Sequence, residues 1–122
     1  MRPVDILVRL EGAAVFLAAV GLYWWLGASW WLFALLILAP DLSMAGYLAG
    51  PRAGAIAYNV FHALIGPLAL AAAGLAFGLA WAFSFATMWL AHIALDRTLG
   101  YGLKFATGFT DTHMGPIGAA RR

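Results

Sequence analysis

Four side chains of types that commonly bind divalent metal ions occur in the apolar part of this 122-residue sequence. They are Asp41, His62, His92 and Asp96. Imidazole and carboxylate groups together are typical ligands of zinc, manganese and iron. His92 and Asp96 are four residues apart, so on a helix both side chains project from one face. The pattern predicts a metal site in which Asp41 is a further ligand or the base that activates water.

Four further residues are candidates for the same site. Glu11 lies about two turns inside the first predicted helix and is a second candidate catalytic carboxylate. Asn59 precedes His62 by three residues and therefore shares its helix face. Asp111 and His113, in the C-terminal segment, are accessory candidates, as a cover or an additional ligand.

Each of these side chains also has an ordinary structural explanation. Glu11 pairs with Arg9 in one alternative, and Asp41 after Pro40 caps a new helical turn in another. His62 taken alone is a hydrogen-bonded core histidine, and bonds of that kind between membrane helices contribute about 0.6–2 kcal/mol. A metal site is favoured because the predicted helices place all of these groups in one layer.

The amino-acid composition indicates what kind of protein holds these residues. Hydrophobic residues make up 65% of the chain and charged residues 10%, with a mean hydropathy of +0.90. A chain this short has too little interior to bury so much apolar surface, which excludes a soluble globular enzyme, a disordered tail and a coiled coil. With no cysteine, thiolate metal sites, iron–sulfur clusters and disulfides are excluded as well. The few cations are scattered, so the pI of about 9.4 does not indicate nucleic-acid binding.

Two long stretches lack Asp, Glu, Lys and Arg: 29 residues from Gly12 to Pro40 and 43 residues from Ala53 to Leu95. A membrane-spanning helix needs about 20 apolar residues, so these stretches hold several spans. We therefore predict an all-α, four-helix transmembrane bundle over residues 1–104, followed by a cytoplasmic juxtamembrane tail over 105–122. The predicted helices are Val4–Leu26, Trp30–Leu48, Ala53–Gly74 and Leu79–Gly100.

The basic residues orient this bundle. Arg2 and Arg9 precede the first span, Arg52 lies in the second turn, and Lys104 follows the fourth span, whereas the first and third turns carry no charge. The positive-inside rule then places both termini in the cytoplasm. Arg97 and Lys104 are interpreted as interfacial anchors. The candidate site lies roughly 10–14 Å below the cytoplasmic surface, within reach of a lipid or another amphiphilic substrate.

Nearly the whole chain resembles a family of small bacterial integral-membrane proteins, domain of unknown function 4260. The resemblance is carried by the segment 38–47, LAPDLSMAGY, the segment 91–102, AHIALDRTLGYG, and the closing segment 108–113, GFTDTH. It implies a multi-pass protein of the bacterial inner membrane, and it implies no activity.

A more distant resemblance is to the bacterial membrane-bound metal-dependent hydrolases. Their Pro-Asp element, His-bearing segment and later His-x-x-x-Asp with Tyr-Gly are similar to Pro40-Asp41, His62, His92 with Asp96, and Tyr101-Gly102. This chain has Ala57-Tyr58 where those hydrolases have His-Arg, so Glu11 or His113 would have to compensate. The resemblance implies hydrolysis of a membrane-associated substrate.

Two other classes of function remain open. His62 and His92 lie on antiparallel neighbours at similar depth, an arrangement that can hold a haem by two axial imidazoles. The polar layer is alternatively a proton or solute relay, which as a full path would need a homo-oligomer because the outer half has no ionisable partner apart from tyrosine. A structural or partner-binding bundle without activity is the third alternative.

Overall fold

The computed structural model of the chain describes residues 2–106, 112–114 and 117, and over these residues the fold is all-α. An isolated antiparallel bridge joins Lys104 to Thr112. Most of the predicted tail, including Asp111, lies outside the described residues. The elements are α1 (Pro3–Leu26), α2 (Trp30–Leu36), a 3-10 helix (Ala39–Ala49), α3 (Pro51–His62), α4 (Ile65–Phe77) and α5 (Ala80–Leu99).

Two helical segments are long and apolar enough to cross a membrane, and a third qualifies if a bent pair is one span. The first two are Pro3–Leu26 and Trp30–Ala49, and the bent pair is Pro51–His62 with Ile65–Phe77. α5 has 20 residues but is less apolar and is not among these segments. The apolar helices indicate membrane association, whereas the four-span arrangement and the position of the termini stay predictions.

The second predicted helix is not continuous. Pro40 has no backbone N–H to donate to Leu36, and its ring crowds the preceding turn, so the α-helix ends there. The chain continues as a 3-10 helix, in which the Asp41 N–H donates to the Leu38 carbonyl at 3.0 Å. The carbonyl of Ile37, which Asp41 would bond in an α-helix, is thereby left to another partner.

The predicted helix Ala53–Gly74 is also interrupted, immediately after His62. Pro67 lacks the N–H that would bond the Ala63 carbonyl, and Ala63 takes an extended conformation with φ −88° and ψ 148°. α3 and α4 consequently meet at an angle of 41°. Both predicted helices are therefore interrupted for the same reason. A proline has no backbone N–H to donate to the carbonyl four residues before it.

α5 is the central helix of the structure, since α1 and α4 both pack against it while the 3-10 helix packs on α3. Small residues allow the close approach on α5, namely Ala82, Ala86, Ala91 and Ala94, all buried. On α1 the close contact with α5 is at Gly12. A Cβ added there would lie 2.9 Å from Arg97 Cβ and 2.9 Å from the Thr98 backbone nitrogen.

Substitution of Gly12 by alanine should therefore weaken the fold. The added methyl meets backbone that cannot move aside, and overpacking of this kind costs about 1–3 kcal/mol of unfolding free energy. The matched control is Gly21→Ala in the same helix, where an added Cβ has no heavy atom within 4 Å; helix propensity should make it neutral or stabilising by up to about 1 kcal/mol. Thermal midpoints in detergent measure both variants, and equal midpoints would contradict the close α1–α5 contact.

Candidate metal centre

The structure brings Asp41, His62, His92 and Asp96 together at one point. Asp41 lies in the first turn of the 3-10 helix, His62 is the last residue of α3, and His92 and Asp96 lie one turn apart on α5. One potential ligand atom from each residue lies within 4.8 Å of the others. Three separate elements thus contribute to one cluster, which the structure places at the two proline-induced breaks.

The distances inside the cluster are short. His62 Nε2 lies 3.0 Å from Asp41 Oδ1, and His92 Nε2 lies 3.1 Å from the same oxygen. The two Nε2 atoms are 3.1 Å apart. Asp96 Oδ2 lies 3.4 Å from His62 Nε2 and 3.3 Å from His92 Nε2. For comparison, two ligands bound tetrahedrally at about 2.0–2.1 Å from a zinc ion lie about 3.3 Å apart.

The other nitrogen of each imidazole ring fixes its tautomer. His62 Nδ1 lies 2.8 Å from the Tyr58 carbonyl oxygen, and His92 Nδ1 lies 2.5 Å from the Ile37 carbonyl oxygen. A carbonyl oxygen only accepts hydrogen bonds, so each Nδ1 carries the hydrogen and donates it. In the neutral ring each Nε2 then presents a lone pair to the centre of the cluster.

With both histidines neutral, the cluster is a set of acceptors that lacks a donor among its own side chains. Two imidazole lone pairs and two carboxylate oxygens face one another, and Asp96 Oδ2 is buried without a hydrogen-bond partner among the described residues. Such a set is unfavourable in a low-dielectric interior unless a cation lies between the acceptors. Imidazole and carboxylate groups at these separations are typical ligands of a divalent metal ion. The hydrogen bond from each ring N–H to a backbone carbonyl is also typical of histidines that bind a metal ion.

The cluster is closed on the histidine side and open at Asp41. The side chains of His62 and His92 are 0% and 2% exposed, Asp96 is 13% exposed, and Asp41 is 31% exposed. Any molecule that approaches the cluster in this structure therefore reaches Asp41 first.

Tyr58 and Lys104 support His62 from one side. The Tyr58 ring stacks on the His62 ring with 3.7 Å between centroids, and Lys104 Nζ lies 4.5 Å from the centroid of the Tyr58 ring. Lys104 is buried, and burial lowers the pKa of its ammonium group while the negative charges of Asp96 and Asp41 oppose that shift. These contacts restrict the orientation of the His62 ring.

Two side chains of α5 bond the carbonyls at the break between α3 and α4. Trp89 Nε1 donates to the Phe61 carbonyl at 2.6 Å, and Arg97 Nη2 donates to the His62 carbonyl at 3.0 Å. Backbone acceptors inside an apolar layer need such partners. Arg97 therefore holds the end of α3, in addition to the anchoring role that the sequence predicts.

The other predicted site residues lie outside the cluster. Glu11 is exposed on α1 and lines a separate groove between α1 and α5 beside Arg97. Asn59 bonds the backbone of Lys104 twice, donating to its carbonyl and accepting from its N–H, both at 2.7 Å. His113 is exposed and its Nδ1 accepts from the Leu103 N–H at 2.7 Å. Asn59 and His113 thus fasten the segment that follows α5.

Sequence reasoning did not identify the backbone carbonyl of Ile37, or Tyr58 as the residue stacked on His62. The signal for Tyr58 was its (i, i+4) spacing from His62, which places both rings on one helix face. No sequence signal identifies the Ile37 carbonyl, since its release depends on the 3-10 geometry after Pro40.

The family model described as Domain of unknown function (DUF4260) matches residues 5–117. No curated protein matches the chain. No solved structure matches it either.

Replacement of Asn59 by leucine should release Lys104 from α3. Loss of two hydrogen bonds to a buried backbone should lower the free energy of local opening by about 2 kcal/mol. Hydrogen exchange of the Lys104 amide, followed by mass spectrometry, measures this as faster exchange.

The control for this experiment is Thr87→Val, which removes the bond from Thr87 Oγ1 to the Phe83 carbonyl within α5 and should leave exchange at Lys104 unchanged. Asn59→Asp keeps the acceptor and should give an intermediate rate. Unaltered exchange at Lys104 in Asn59→Leu would show that the segment is held in another way.

Proposed function

The chain belongs to the DUF4260 family, and we propose that it is a membrane protein that binds a divalent metal ion through Asp41, His62, His92 and Asp96 and uses it in hydrolysis of a membrane-associated substrate. The observation that carries the proposal is the convergence of four acceptor atoms whose ring N–H groups are already bonded elsewhere. A cation among them relieves the repulsion without a change of structure, whether it is a metal ion or a proton on one Nε2.

Hydrolysis is the activity that this ligand set supports best. A divalent ion with protein ligands and an accessible position polarises a carbonyl or phosphoryl oxygen and lowers the pKa of bound water. Asp41 is the most exposed of the four residues, so it borders the accessible side. As the base, its carboxylate would accept a proton from the attacking water; as a ligand, it would help to hold the ion.

The haem alternative does not fit the geometry. Axial imidazoles on opposite sides of a porphyrin iron are separated by roughly 4 Å between nitrogens at about 2 Å per bond, with the macrocycle between them. Here the two Nε2 atoms are 3.1 Å apart and both approach Asp41 Oδ1. In the proton-relay alternative the same four residues would share a proton instead of binding a metal ion.

Elemental analysis of the protein purified in detergent should find one divalent ion per chain. His92→Ala should abolish binding, and Asp96→Asn should weaken it at least tenfold, because an amide oxygen is a poorer ligand than a carboxylate. An ion at one hundred times its Kd should stabilise the fold by about 2.7 kcal/mol, so a chelator should lower the thermal midpoint and the ion should restore it.

Matched controls are His113→Ala and Asp5→Asn, which change an exposed histidine and a carboxylate that bonds Arg2 instead of the cluster. Both should bind metal as the unsubstituted chain does. Absence of metal together with a midpoint that does not respond to chelator would overturn the metal function and favour the proton-relay alternative.

The proposed hydrolysis is tested with a panel of amphiphilic carboxylic and phosphoric esters. Metal-loaded protein should hydrolyse at least one class, and Asp41→Asn should reduce the rate more than it reduces metal affinity if Asp41 is the base. A metal-loaded protein that hydrolyses no member of the panel would reduce the proposal to metal binding alone.

The proposed topology is four spans in the inner membrane with both termini in the cytoplasm. Reporter fusions at residue 1 and after Arg122 should both report the cytoplasm, because the basic flanks lie on that side. A fusion in the uncharged turn around Gly27 should report the opposite side, and a periplasmic signal from either terminus would contradict this topology.

A further inference from the structure

A buried lysine lies close to the candidate metal centre. Lys104 follows α5 in the chain and is only 4% exposed, although lysine side chains are seldom buried to this extent unless they are paired. Burial of an ammonium group is costly in free energy unless negative charge compensates it. The surroundings of Lys104 show where that compensation comes from.

The backbone and the side chain of Lys104 are both fastened to α3. Asn59 bonds the N–H and the carbonyl of Lys104, and an antiparallel bridge joins Lys104 to Thr112. The ammonium group lies over the ring of Tyr58, with 4.5 Å from Nζ to the ring centroid. Tyr58 and Asn59 lie about one helical turn before His62. The helix that supplies one histidine of the cluster therefore also holds the lysine.

The Tyr58 ring lies against both Lys104 and the cluster. Its stacking on His62 leaves 3.7 Å between the two ring centroids. The negative charges of Asp96 and Asp41 both act on the Lys104 ammonium group. Electrostatic interactions are stronger in a low-dielectric interior than in water, so the charges interact without direct contact. The carboxylates of the cluster therefore compensate the buried charge of Lys104, and Lys104 compensates theirs.

Arg97 is a second cation near the cluster, and Asp96 acts on its charge as well. Its guanidinium group, however, donates to the carbonyls of His62 and Tyr101. Removal of this charge therefore also removes two hydrogen bonds to the backbone. Lys104 can be replaced by methionine, which has a similar shape and no charge, while the bonds between its backbone and Asn59 are kept. The electrostatic role of Lys104 can thus be tested separately.

From these observations we infer that Lys104 is the counter-charge of the cluster, which stabilises Asp41 and Asp96 in the metal-free protein and lowers the affinity for the divalent ion by repulsion. A cation near two carboxylates stabilises them, and the same cation repels a second cation placed between them. The part of the inference that concerns affinity rests on the proposed function, whereas the part that concerns the metal-free protein does not.

Zinc titration against a competing chromophoric chelator, with the protein in detergent, tests the repulsion. Lys104→Met should bind zinc roughly threefold or more tightly than the unsubstituted chain, because a positive charge near the ion is lost. A lysine that only positioned Tyr58 and His62 would give the opposite result, since its loss would loosen a ligand and weaken binding. Lys104→Arg keeps the charge and should restore the original affinity. Arg52→Met removes an exposed cation at the start of α3 and should have no effect.

A double-mutant cycle in excess chelator tests the counter-charge in the metal-free protein. Lys104→Met should lower the thermal midpoint. In the Asp96→Asn background the same substitution should lower it about half as much or less, because one of the two carboxylates that Lys104 stabilises is already neutral. If Lys104 contributes only packing and its contact with Tyr58, the two losses are equal and the inference is overturned. Lys104→Gln repeats the cycle if Lys104→Met does not fold.

The failure of this inference and the failure of the proposed function give different results. If no form of the protein binds zinc but Lys104 and Asp96 are coupled in the cycle, the metal function fails together with the repulsion, and the counter-charge stands. If the unsubstituted chain binds zinc and Lys104→Met binds it equally well or more weakly, the inference is overturned and the metal function stands. Equal losses of thermal midpoint in the two backgrounds overturn the inference whether or not zinc is bound.

Discussion

The mutual repulsion of four hydrogen-bond acceptors is the constraint around which this structure is organised. His62 and His92 each use Nδ1–H on a backbone carbonyl, so their Nε2 lone pairs and the oxygens of Asp41 and Asp96 meet with no donor between them. With neutral histidines, such an arrangement is unfavourable in an apolar interior unless a metal ion or an added proton lies among the acceptors. The same bonds to the Tyr58 and Ile37 carbonyls also fix the orientation of the two rings, as hydrogen bonds to backbone carbonyls commonly do in histidines that bind metal ions.

The two breaks in the helices are the means by which this arrangement is built. In the 3-10 helix that begins at Pro40 the Asp41 N–H bonds the Leu38 carbonyl, which leaves the Ile37 carbonyl to orient His92. The second break follows His62 directly, because Pro67 cannot donate to the Ala63 carbonyl. The breaks are tolerated because α5 supplies donors for carbonyls at the end of α3, from Trp89 to Phe61 and from Arg97 to His62. α5 thus carries two residues of the cluster as well as side chains that bond the other elements, which accounts for its buried polar residues.

A site of this kind has a defined direction of approach. The histidines are closed off by Tyr58 and α5, whereas Asp41 is partly exposed on a 3-10 helix whose first residues also form the wall of an apolar groove. The residue that directly precedes Asp41 in the chain, Pro40, therefore lines an apolar groove, although no residue of the cluster does.

The sequence by itself determined the all-α class, the apolar character of the helices and the four residues of the cluster. Hydropathy and the cost of burying ionisable groups act locally, so they are visible in the order of the residues. The (i, i+4) relation of His92 and Asp96 was visible for the same reason. Only the tertiary structure decided that Glu11 and His113 lie elsewhere, that Arg97 and Tyr58 support His62, and that the two helices break. Those outcomes depend on which distant groups satisfy a carbonyl or stack on a ring, and residues 30 to 55 positions apart carry no local signal of such contacts.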